Sequence, residues 1–221
     1  MTREHVPVRK LVWVVLFAIA FAFVESSIVV YLRALYYPDG FSFPLKMIST
    51  THLAVELMRE AATIVMLVSI GIVAGGRGWQ KFGYFCIAFG VWDIFYYVWL
   101  KVILDWPTSL TDWDILFLIP VPWIGPVVSA GLIAALLVVV GVDIVYRTSL
   151  YKYFSPTILS WLLAFLGTAV ILYSFVHDTD ATIRGSMPQP YLYELLYLGL
   201  ALYVGGYIVA CKPRNASKAA A

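Results

Sequence analysis

Six stretches of this chain, at roughly 11–33, 47–75, 80–104, 124–146, 156–177 and 191–211, are apolar over lengths that cross a membrane. A hydrocarbon core is about 30 Å thick and takes about 20 helical residues to cross. Backbone polar groups find no water there, so each stretch is predicted to satisfy its own hydrogen bonds as an α-helix. Hydrophobic residues make up 62% of the 221, against roughly 45–50% in soluble domains. The fold class that follows is an all-α integral membrane protein, a bundle of six transmembrane helices forming a single domain over 1–221. The first stretch follows Arg3, Arg9 and Lys10 and contains Ala20-Phe21-Ala22, as a secretory signal would, but it stays apolar to Leu32 and reads as a retained helix.

Orientation follows from the basic residues between the spans. Arg3, Arg9, Lys10, Arg77, Lys81, Arg147, Lys152, Lys212, Arg214 and Lys218 fall on the side of both termini, against Arg33, Lys46, Lys101 and Arg184 opposite. The positive-inside rule then makes both termini cytoplasmic, in a multi-pass protein of a bacterial-type inner membrane. The acids run the other way: Glu4 and Asp143 lie near the cytoplasmic face, whereas Asp39, Asp105, Asp112, Asp114, Asp178 and Asp180 lie in outer loops. Within the outer loop 105–123, Thr111 or Asp112 can cap a helix that Pro120, Pro122 and Pro126 would stop. A short interfacial or re-entrant helix on the outer face is therefore expected.

One span carries a polar stripe. His52, Glu56, Arg59, Glu60 and Thr63 repeat at helical spacing, so they share a face of the second helix. Insertion costs roughly 2.5–3.5 kcal/mol for each ionised side chain near a helix centre, which forces this face toward other helices. Glu25 in the first span, and Asp93, Tyr97 and Lys101 at four-residue steps in the third, reach the same outer half. The predicted site therefore consists of Glu56, Glu60, Asp93 and Arg59, with Tyr97 and Lys101 lining its mouth.

Charge makes this layer chemically interesting. Glu25, Glu56, Glu60 and Asp93 face one permanent cation, Arg59, and an excess of about three charges cannot stay bare in a low dielectric. Protons can neutralise the carboxyls, a bound cation can compensate them, or Lys101 and His52 can reach in to pair. As a metal centre, the ligands would be Glu25, His52, Glu56, Glu60 and Asp93, and carboxylates with imidazole from several helices suit a divalent metal such as iron, manganese or zinc. Arg59 and Lys101 acting as staples between helices is the structural alternative.

Several functions are left without support. The chain has no G-x-S-x-G elbow, no H-E-x-x-H and no phosphate-binding glycine loop. Basic residues beyond the short loops form no patch, so no nucleic-acid partner is expected. Cys86 and Cys211 fall in cytoplasmic halves of their spans, where packed thiols are the ordinary occupants. The reading is a membrane protein with a buried acidic site open to the outer face, binding a metal ion or protons and acting on a lipid-soluble substrate. Two alternatives use the same residues: a proton- or cation-coupled transporter, and an accessory subunit whose aromatic outer face docks a membrane-protein partner.

Overall fold

The computed structural model describes residues 8–43, 45–46, 48–76, 78–150 and 154–213. Arg3, Glu4, Arg77, Lys152, Arg214 and Lys218, which enter the charge count above, lie outside the described residues. Among the described residues, six helices are long and apolar enough to cross a membrane. They are α1 (Val8–Tyr36), α2 (Thr50–Ala74), α3 (Gly78–Leu104), α4 (Val127–Ser149), α5 (Ile158–Val176) and, after the short α6 (Thr179–Ile183), α7 (Tyr193–Cys211). Ser49 starts α2 by accepting the backbone N–H of His52 at 3.2 Å, and Thr157 and Ser160 form a reciprocal capping box at the start of α5.

The helix α3 is the hub. It packs against α1, α2 and α4, and its core side chains Tyr84, Ile87, Ala88 and Trp92 meet Val14, Ala18, Phe21 and Ala22 of α1. Gly90 lets α3 approach α4, because a Cβ there would collide with the Ala134 carbonyl oxygen. A second unit forms where α5 packs along α7. There a Cβ on Gly199 would strike Ile171 and lie 3.0 Å from the Gly167 carbonyl oxygen. Gly206 is similarly tight, whereas Gly205 has only Leu163 at 3.9 Å.

The connections 37–49, 105–126 and 177–192 lie at one end of the bundle. The 105–126 segment departs from expectation, because it forms a β-hairpin, β1 (Trp113–Phe117) paired antiparallel with β2 (Trp123–Pro126), and not a helix. The Asp112 carboxylate explains why. It folds back to accept the backbone N–H of Thr108 at 2.8 Å and of Ser109 at 3.1 Å, so it cannot cap a following turn. The β-branched and aromatic run that follows pairs with Trp123 and Ile124, and Pro120 and Pro122 occupy the turn where ladder donors are not needed. The short helix at this end is α6, in a different loop.

Candidate functional site

Arg59 organises the polar layer. Its Nε and Nη2 donate to Glu56 Oε2 at 3.0 and 2.8 Å, and its Nη1 donates to Glu25 Oε2 across the α1–α2 gap. Thr63, one helical turn further along α2, donates its hydroxyl to Glu25 Oε1 at 2.7 Å. Glu25 is only 2% exposed, and among the described residues its charge is met by these two groups from α2. The helical stripe therefore faces inward, and Glu25, Glu56, Arg59 and Glu60 come together.

Glu25, Glu60 and Asp93 each lie about 15 Å from the hairpin-side end of their helix, at ~1.5 Å per residue. At that level the hairpin meets them. Leu118 donates its backbone N–H to both oxygens of Glu60, at 3.0 and 2.9 Å. The hairpin thus dips between the helices as a re-entrant element and finds a carboxylate for an edge donor that lipid could not satisfy.

Beneath the hairpin lies a cavity of about 50 Å³, lined by Glu25, Arg59, Glu60, Thr63, Trp92, Asp93, Tyr96, Tyr97 and the strand residues Ile115, Leu116 and Phe117. That is room for a few water molecules. Asp93 faces this space with no hydrogen-bond or ion-pair partner among the described residues. Tyr97 lines the same inner cavity and so lies behind the site, not at its mouth.

The other face of Arg59 and Glu60 borders a larger cleft of about 330 Å³. Val29, Leu32 and Tyr36 of α1, Leu53 of α2 and Phe41, Leu45 and Ile48 of the connection between them line it with apolar surface, and Glu56, Arg59, Glu60 and Tyr96 form its polar floor. Arg59, Glu60, Tyr96 and Ile115 line both spaces, so a thin polar partition separates the inner cavity from the cleft.

Two residues that the sequence reading left outside the site complete it. Arg33 donates from Nη2 to Asp114 Oδ1 at 3.2 Å, with its guanidinium held between the rings of Trp106 at 3.7 Å and Phe41 at 4.1 Å. Both partners are buried and both line the cleft. Burial pushes the Asp114 carboxyl up to about 6, with Arg33 pulling against it. The only sequence signal for Asp114 is its place in the alternating Trp113-Asp114-Ile115-Leu116-Phe117 run.

Other expectations need correction. Lys101 does not line the mouth: its Nζ pairs with Asp105 Oδ1 at 2.7 Å, and the side chain is 49% exposed. Each four-residue step over-rotates an α-helix by about 40°, so two steps from Asp93 carry Lys101 off the face that Asp93 and Tyr97 share. His52 is also diverted, because its Nδ1 sits 2.5 Å from the Tyr36 hydroxyl at the rim of the cleft. Glu25, His52, Glu56, Glu60 and Asp93 consequently do not converge as metal ligands. Among the described residues no three His, Cys, Asp or Glu side chains are placed to hold a metal ion. Arg59 occupies the point at which Glu25 and Glu56 would have met one.

No known protein family matches the chain, and no curated protein or solved structure matches it.

Proposed function

We propose that this multi-pass membrane protein binds an amphipathic, lipid-soluble molecule in the cleft between α1 and α2, and acts on its polar head. The cleft itself carries the reading. Its apolar walls lead to a floor where Glu56, Arg59 and Glu60 are concentrated, and its volume of about 330 Å³ falls within the roughly 300–1,000 Å³ of ligand sites. Glu56 is the group placed to exchange a proton with a bound head, since Arg59 holds its Oε2 and leaves Oε1 without a partner among the described residues. Arg59 orients Glu56 and Glu25, while Asp93 and the inner cavity form a proton store behind the partition.

The basic residues flanking the spans support an inner membrane of bacterial type with both termini cytoplasmic, which opens the hairpin end to the outer face. A topology reporter fused after Lys218 should read cytoplasmic, and one inserted near Thr182 external. The opposite result would reverse the side from which the cleft is reached.

Native mass spectrometry of the protein released from nanodiscs tests the binding. The parent should retain an amphiphile that Leu53→Trp, which fills the cleft from α2, no longer carries. Equal lipid content in the two proteins would overturn the reading.

A further inference from the structure

We propose that the head recognised in this cleft is an ammonium group, so that the ligand is a lipophilic amine. The inference rests on the cleft reading above and adds the chemistry of the head.

The ion pairing of the two arginines and the open acceptors of the floor carry the inference. Every nitrogen of Arg59 is already bonded, to Glu56 or Glu25. Arg33 is held by Asp114 and enclosed between two aromatic rings. Both guanidiniums are thus already neutralised by carboxylates, although Arg33 Nη1 and Asp114 Oδ2 keep no hydrogen-bond partner within their buried pair. Carboxylate capacity also remains open: among the described residues Glu56 Oε1 has no partner although Glu56 is only 6% exposed, and Glu60 is met by the Leu118 backbone N–H and is in no ion pair. A head that donates several hydrogen bonds suits this floor.

Charge points the same way. Around the cleft and its inner cavity, Arg33, Arg59 and the rim residue Lys46 stand against Glu25, Glu56, Glu60, Asp93 and Asp114, which leaves positive charge in deficit by two when all are ionised. A bare metal ion does not fit, because the carboxylates do not converge and the space is far larger than an ion. An ammonium on an apolar tail supplies one of the two missing charges, and its tail suits the apolar volume. The rings of Tyr36, Tyr37, Phe41 and Tyr96 that line the cleft favour a cation over their faces. The chain itself makes that contact at the rim, where the Lys46 ammonium lies 5.1 Å from the centre of the Tyr37 ring.

Thermal unfolding in lipid nanodiscs at pH 7, with decylamine, 1-decanol or decanoate added at equal concentration, tests the proposal. At this pH the amine is protonated, as a lysine side chain is. Decylamine should raise the midpoint by several degrees, because a ligand of the folded state stabilises it, and the other two should not. The shift should vanish in Leu53→Trp and need about tenfold more amine in Glu56→Gln, the loss of one charge-assisted hydrogen bond. If Glu56→Gln does not fold, Tyr96→Leu, which removes a ring from the floor, should weaken the shift in the same direction. Equal or larger shifts with decanol or decanoate, abolished by Leu53→Trp, would overturn the ammonium and keep the cleft. A decylamine shift that persists unchanged in Leu53→Trp would overturn the ammonium site as well. No shift with any probe would remove the cleft reading itself.

Discussion

Leu118 and Glu60 meet head-on: a backbone N–H from the hairpin turn is shared between the two oxygens of a carboxylate inside α2. The bond is what lets a two-stranded hairpin, with unpaired backbone at its edges, sit among transmembrane helices. Glu60→Leu removes the only acceptor which that N–H has among the described residues and should cost about 1–3 kcal/mol. Glu60→Gln retains a carbonyl oxygen and should cost less. Unfolding curves in detergent, together with protease cutting between 118 and 122, should separate the two variants. Equal stability and equal cutting would show that the hairpin does not depend on Glu60.

Arg59 is the shared cation of Glu25 and Glu56, and among the described residues Glu25 has no other positive partner. Arg59→Gln should therefore destabilise by roughly 3–5 kcal/mol, the cost of leaving a buried carboxylate uncompensated. Adding Glu25→Gln should recover a large part of the loss, since Thr63 can still donate to the amide oxygen. A double-mutant cycle measures this recovery. Strictly additive losses would mean that the pair is not coupled.

Much of this arrangement was legible in the chain, because spans of apolar sequence and a helical stripe are both local patterns. The predicted span 47–75 contains α2 (Thr50–Ala74), and the inward face of Glu56, Glu60 and Thr63 follows from a 3.6-residue period. The hairpin was not legible. Strands of five and four residues are too short for an alternation to be told from a helical turn, and the prolines read equally well as helix stops. The Arg33–Asp114 pair spans 81 positions and leaves no local trace. Lys101 was misplaced because a spacing of four approximates the helical period over one turn and drifts over two.

The α5–α7 contact has a steric test with an internal control. Gly199→Ala puts a methyl group against Ile171 and the Gly167 carbonyl, and overpacking of this kind should cost roughly 1–3 kcal/mol. Gly205→Ala, whose new methyl meets only Leu163 at 3.9 Å, should be close to neutral. Thermal midpoints of the two variants check this. A Gly205→Ala loss as large as that of Gly199→Ala would mean that helix flexibility, and not close approach, is what these glycines supply.

Asp114 makes a pH prediction whose sign is set by burial. An aspartate ordinarily titrates at 3.8, and burial holds this one at about 6 even with Arg33 beside it. Between those values the folded protein keeps a proton that the unfolded chain has released. The contribution of Asp114 to stability is therefore fully present below about pH 4 and is lost as pH rises through 6, by an amount on the order of 3 kcal/mol. Asp114→Asn cannot titrate, so it lacks this loss while keeping a side-chain oxygen for Arg33. Midpoints of the parent and of Asp114→Asn should be measured from pH 4 to pH 7.5, and the parent should fall relative to the variant across that window. Titrating groups that do not feel the Asp114 charge cancel between the two proteins, so the difference reports Asp114 together with the neighbours coupled to it. A difference that stays flat, or that favours the parent as pH rises, would mean that Arg33 outweighs burial and that the pair is ionised throughout.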